Sequence, residues 1–172
     1  MRLVVALLAL LVLPLRASPA QERPVHVAPN APKDNPVGAA MPCQWHAMVR
    51  AMAPYVAKAR ASYPAAKARF QAGLPERHTF FVTTRLTDRR GRIEQVFVVV
   101  DSIVGTEIRG RIWSPVGTVE GYALRQPYAF PESELVDWMV SRPDGTEEGN
   151  VVGIFLDTYR PPSVCGDQDR AG

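Results

Sequence analysis

The chain has 172 residues, 47% apolar and 22% charged, a length and balance that suit one globular domain. Its formal charge is +3, but Arg2 and Arg16 fall in a leader expected to be removed; without them 18 basic residues face 17 acidic ones, leaving +1. That balance removes charge as a reason to expect a nucleic-acid partner.

Residues 1–20 read as a signal peptide. Arg2 is a short basic n-region, Leu3 to Leu15 is an apolar h-region broken only by Pro14, and the small residues Ser18 and Ala20 precede a cut before Gln21. The apolar run is shorter than the roughly 20 residues a membrane-spanning helix needs, so no transmembrane segment is expected after cleavage. The expected location is therefore the periplasm or the medium. Residues 21–42 contain Pro24, Pro29, Pro32, Pro36 and Pro42 with few apolar residues, and read as a flexible Pro-rich leader.

Two cysteines remain, Cys43 and Cys165, at opposite ends of the mature chain. In an oxidising compartment such a pair is expected to bond. The chain-entropy model assigns a loop of this length on the order of 4–5 kcal/mol. Two free, unrelated thiols are the alternative. No Cys-x-x-Cys is present, and no metal or cofactor is expected.

The domain proper is read as residues 43–160, with 161–172 a C-terminal tail. From Gln44 to Gln71 apolar residues recur three or four apart: Trp45, Met48, Val49, Met52, Val56, Ala59, Tyr63, Ala66 and Phe70. The pattern predicts a helix with one buried face. Pro54 and Pro64 predict kinks or breaks near Ala53 and Tyr63. From Thr79 the period becomes two. Phe80, Val82, Thr84 and Leu86 share one strand face, and Asp88 to Gly91 is a turn. Arg92 to Val104 is a long central strand. Thr106 to Trp113 alternates as a half-exposed strand. Ser114 to Gln126 is a loop and Pro127 to Phe130 a short strand. Pro131 to Glu134 would start a helical turn, with Ser133 or an acidic side chain capping it. Asp137 to Ser141 and Asn150 to Thr158 are expected as a hairpin, with Gly145 supplying a positive φ in its turn.

Helices first and then five or six antiparallel strands predict an α+β fold. An N-terminal kinked helix or helix pair would pack on a curved sheet or a small, partly open barrel.

Within Tyr63 to Phe155 the following pieces stand in order: Tyr63-Pro64; Phe80 to Thr83; Glu94 with Phe97; Ile108-Arg109-Gly110-Arg111-Ile112; Pro115; Asp137-Trp138; and Gly149 with Gly153 and Phe155. This order resembles the bacterial family called domain of unknown function 2314 (YegJ-like). The resemblance covers about two-thirds of the mature chain. The chain departs from the family pattern at Phe97, where Trp is usual, at Met139, where an aromatic often follows Asp-Trp, and in the insertion Arg142 to Glu148. The resemblance implies no catalytic residues.

The residues themselves speak against several chemistries. His26, His46 and His78 are scattered, and no His-Glu-x-x-His, Gly-x-Ser-x-Gly, Walker or dinucleotide motif occurs. Asp101, Glu132, Glu134 and Asp137 are the acids nearest apolar sequence, and a correctly spaced pair could hydrolyse a glycoside. The plainer reading has Glu132 and Glu134 cap a turn and Asp137 bond the backbone beside Trp138. Arg85, Arg89, Arg90, Arg92, Arg109 and Arg111 could bind an anionic group, or could pair on the strand surface with Glu94 and Glu107. Aromatic residues and Arg favour interfaces, so Arg109, Trp113, Tyr128, Asp137 and Trp138 are the expected partner surface. Two functional classes follow. One is a non-catalytic exported binding or envelope accessory domain, with an inhibitor or immunity protein as a specific version. The other is a small hydrolase of cell-wall glycan or peptide acting through Asp137 or Glu134. The expected partner is a protein or an anionic ligand of the cell envelope.

Overall fold

The computed structural model describes residues 23–33 and 42–163. The expected signal peptide, Cys165 and most of the tail lie outside these residues. The elements are helix α1 (Pro42–Ala72), strands β1 (Thr79–Thr87), β2 (Ile93–Val104), β3 (Glu107–Ile112) and β4 (Pro127–Pro131), a single 3-10 turn (Glu132–Glu134), strands β5 (Asp137–Ser141) and β6 (Glu147–Gly149), and helix α2 (Val151–Thr158). The strands form one antiparallel sheet in the order β4-β3-β2-β1-β5-β6, which does not close. The fold is α+β, with the helices packed on an open sheet.

The apolar face of α1 serves two cores. Toward its C-terminal end Ala59, Tyr63, Ala66 and Phe70 pack on the sheet residues Phe80, Val82, Leu86, Val98, Ile108, Ile112 and Trp138. Toward its N-terminal end Met48 and Met52 pack on Val136 and on Val152 of α2. This division accounts for a helix of 31 residues, ~46 Å at 1.5 Å per residue. It also bears on the prolines. α1 runs unbroken through Pro54 and Pro64, so of the kinks or breaks expected near Ala53 and Tyr63 the breaks do not occur and the single-helix alternative holds. Burial along both halves outweighs the local loss of one backbone bond at each proline. Ser62 Oγ donates to the carbonyls of Lys58 and Ala59, and Trp138 Nε1 donates to the Ala59 carbonyl at 3.2 Å.

β2 carries a bulge between Val100 and Ser102, which leaves Asp101 without a register partner. The Asp101 carboxylate takes Arg111 Nε at 3.2 Å and Nη2 at 3.1 Å. A bulge bends its strand and re-aims the extra side chain, here toward an arginine that is itself buried. In β3, Gly110 lies so close to β2 that an added Cβ would stand 2.0 Å from the Val99 carbonyl oxygen, so glycine is required there.

The structure departs most from the sequence pattern at residues 150–158, where that pattern predicts a strand paired with β5. The partner of β5 is instead the three-residue β6, with Val140 opposite Glu148, and residues 151–158 form α2. The Gly149, Gly153 and Phe155 pattern therefore lies at a strand end and in a helix. Gly145 does have a positive φ, 85°.

Leader residues 23–33 lie against the face of the sheet opposite α1. Val25 packs on a cluster of Phe81, Val99 and Met139, flanked by Phe97 and Trp113. The Thr79 hydroxyl accepts from the His26 amide at 3.0 Å and donates to the His26 carbonyl at 3.1 Å. Asn30 Nδ2 donates to the Asp144 carbonyl at 3.0 Å. Among the described residues, no helix is long and apolar enough to cross a membrane.

Candidate functional site

Asp137 and Trp138 form the centre of the domain, and both are buried. Alternation along β5 sends them in different directions. Trp138 pairs in register with Val82 and sits beneath α1, its ring 6.4 Å from Phe80 and its Nε1 bonded to Ser62 Oγ at 3.0 Å. Asp137 Oδ1 accepts from the Trp138 amide at 2.8 Å, as expected. Its other oxygen, Oδ2, accepts from the Val152 amide at 2.6 Å. The carboxylate thus takes the place of an N-cap for α2. Asn150, at the cap position, is left-handed with φ 53° and makes no capping bond. Burial pushes the Asp137 pKa up to about 6, against the lowering effect of the amides of Val152, Trp138, Gly153 and Val151.

Arg109, Trp113 and Tyr128 occupy other surroundings. Arg109 is exposed and pairs with Glu107, as expected for strand-surface charges. Trp113 is half-buried on the sheet face opposite α1, 6.5 Å from the Phe81 ring, with the Arg125 guanidinium 5.7 Å from its own ring. Tyr128 stacks on Phe130 at 5.5 Å and meets Tyr122 edge-on. The five residues are therefore not gathered on one surface. Arg109 and Trp113 alternate on the same face of the β3 line, while Asp137 and Trp138 are interior.

Glu94, expected to pair with an arginine, instead collects three amides of the loop after β3: Gly117 at 3.0 Å, Thr118 at 2.7 Å and Val119 at 3.1 Å. Glu132 and Glu134 make no side-chain cap on their turn. Glu132 takes Lys67 Nζ at 2.6 Å and the Tyr63 hydroxyl at 2.9 Å, joining α1 to the turn. Arg92 pairs with Asp88 and Glu120, and Arg90 with Glu120. Four backbone and side-chain donors converge on Asp88; burial opposes them, but the bonds from Arg92, Glu120 and Arg90 prevail and its pKa falls to about 2.

One feature draws together residues from distant parts of the chain. A cleft of about 300 Å³ is lined by Val56 and Arg60 of α1, Arg85 and Thr87 of β1, and Glu134 and Val136. Arg60 is anchored by Nε to the Leu135 carbonyl at 2.8 Å and by Nη2 to the Ser133 carbonyl at 3.0 Å. The Arg85 guanidinium lies 5.8 Å from the Trp45 ring centroid. The sequence marks Arg85 as one of several strand arginines. Arg60 lies 25 positions earlier on a helix, so no local pattern links the two.

Among the described residues, no group of His, Cys, Asp and Glu side chains is placed to hold a metal ion. Comparisons with protein-family models, curated proteins and solved structures return no match to this chain.

Proposed function

We propose that this protein is an exported, non-catalytic binding domain of the cell envelope. The observation that carries the non-catalytic part is the commitment of Asp137. Both of its oxygens hold backbone amides, Trp138 with one and Val152 with the other. A catalytic carboxylate needs a free oxygen facing a substrate. Asp137 is spent on joining α2 to β5.

Export rests on the composition of residues 1–20. The resemblance to domain of unknown function 2314 rests on the order of motifs from Tyr63 to Phe155, and it adds no activity. The Cys43–Cys165 disulfide is part of the same proposal. Its support is that Gln44 Nε2 donates to the Pro162 carbonyl at 3.1 Å, which brings the chain shortly before Cys165 beside the residue that follows Cys43. Recognition of a protein partner falls to the sheet face around Trp113, Arg125 and Arg109. There an aromatic ring sits beside the leader, with Arg125 over it and Arg109 exposed on the strand that leads into it. An inhibitor or immunity role is the specific version of this reading.

The alternative is a small hydrolase of cell-wall glycan or peptide. Glu134 at the rim of the cleft is the observation that favours it, since that side chain is exposed and not engaged in a cap. Crosslinking the full-length protein in cells and recovering it from the envelope fraction tests the two. The binding reading expects one dominant protein partner, retained by Glu134→Gln and lost on Trp113→Ala. Cell-wall fragments released by the wild type and not by a folded Glu134→Gln variant would establish the hydrolase instead.

A further inference from the structure

The Arg60–Arg85 cleft has no account in the packing. Arg85 Nε is shielded from solvent and bonds to nothing in the structure. A buried donor without a partner is costly, and a charged one more so. Burial, and after it the nearby Arg60, push the Arg85 pKa down. Among the described residues, no carboxylate forms an ion pair with either arginine, although Glu134 lines the same cleft.

The two guanidinium groups are nevertheless held in place. Arg60 is tied to two carbonyls of the segment that leads into β5, and Arg85 is backed by the Trp45 ring. Positive charges brought together, fixed and left without an ion pair are arranged for an anion that comes from outside. The guanidinium fork matches the planar or tetrahedral oxygens of a carboxylate or phosphate. Thr87 lines the same space, and Val56 and Val136 supply apolar walls. About 300 Å³ lies at the lower end of ligand sites, which suits one small group rather than a length of polymer.

We infer that this cleft is an oxyanion-binding site, taking a phosphate or carboxylate group between Arg60 and Arg85. It shares no residue with the face around Trp113, so it stands or falls separately from the protein-partner reading.

The test uses the full mature protein, with inorganic phosphate, acetate and chloride titrated at constant ionic strength. The Arg85 Nε–H resonance is followed by NMR and thermal unfolding is measured in parallel. Saturable movement of that resonance by phosphate or acetate, with a rise in unfolding temperature, is expected. Phosphate alone would identify a phosphate-bearing ligand, and acetate alone a carboxylate-bearing one. Arg60→Gln should weaken the apparent affinity by roughly tenfold or more, from loss of one charge-assisted contact. Arg85→Met should abolish the anion's effect on unfolding temperature without lowering stability in its absence. If Arg85→Met does not fold, Arg60→Gln decides the matter. Equal responses to chloride and the oxyanions, no saturation, or an undiminished response in Arg60→Gln would overturn the site.

Discussion

The Val152 amide donates to Asp137 Oδ2 at 2.6 Å, so α2 is capped by a side chain that lies 15 residues earlier, on β5. A helix of eight residues is marginal on its own. Its persistence depends on this bond and on the packing of Val152 against Met48, Met52 and Val136. The aspartate in the Asp137-Trp138 pair therefore ties the second helix to the sheet, while the tryptophan ties the first helix to the same strand.

Stability should depend on pH through Asp137. Its carboxyl pKa is raised from 3.8 to about 6 by burial, which outweighs the amides around it. Between those values the folded state holds a proton that the unfolded state has released. This proton-linked contribution is fully present below about pH 4, declines as pH rises toward 6, and is gone above it, where the amide bonds to the ionised carboxylate remain. A shift of this size corresponds to a loss on the order of 3 kcal/mol. Asp88, with its depressed pKa, works in the opposite sense, losing its contribution as pH falls toward about 2. Urea unfolding from acid to neutral pH should give a wild-type-minus-Asp137→Asn difference that declines across the Asp137 window. A constant difference would contradict this assignment.

Trp138→Phe keeps an aromatic ring beside Phe80 and removes the two bonds from Nε1 to Ala59 and Ser62. The expected loss is roughly 2–3 kcal/mol, from one shared donor removed and the space left by the smaller ring. Ser62→Ala in the Trp138→Phe background should cost less than Ser62→Ala alone, because the two side chains share one bond. Additive losses in a double-mutant cycle would show that they act separately.

The leader should contribute to the fold. Deleting residues 23–33 uncovers Phe81, Val99 and Met139 and leaves the Thr79 hydroxyl without the His26 backbone. Val25→Asp is the smaller lesion. Losing the burial of one valine costs roughly 1–2 kcal/mol, and a carboxylate on that cluster adds to the loss. Increased binding of a hydrophobic dye by both variants, with a lower urea midpoint, is the expected outcome. Unchanged dye binding and midpoint would mean that the leader adds nothing to the cover of this face.

The two cysteines offer a simple count. The proposed Cys43–Cys165 bond predicts no reactive thiol in the purified mature protein, native or unfolded, without reductant. Two thiols under both conditions would remove the bond from the account. Reduction should lower the unfolding temperature, since a loop this long carries on the order of 4–5 kcal/mol in the chain-entropy model.

Much of the sheet was legible in the sequence because its signals are local. Phe80, Val82 and Leu86 alternate along β1 and all pack toward α1, and turns at Gly91 and Gly105 separate β1, β2 and β3. What was hidden depends on distant contacts. Val151 to Leu156 is a short apolar run, and such a run reads equally as a strand. It becomes helical where Asp137 accepts its first-turn amides. Pro64 carries a local breaking signal that burial of Tyr63 and Ala66 overrides. Val25 shows no periodicity that would announce a place on the sheet. The Arg60–Arg85 cleft joins a helix to a strand, and only the packing of α1 beside β1 brings its residues together.

Amide hydrogen exchange at Val152, compared between the wild type and Asp137→Asn at neutral pH, tests the structural role of Asp137 most directly. The account predicts a selective loss of protection at Val152 and its neighbours in α2, with the amides of β1 and β2 still protected. Asparagine keeps one acceptor oxygen and cannot hold both amides, so a loss of roughly 1–3 kcal/mol in local stability is expected. Unchanged protection at Val152 in a folded Asp137→Asn variant would show that the carboxylate is not committed to the helix. Asp137 would then be free for the chemistry that this account denies it.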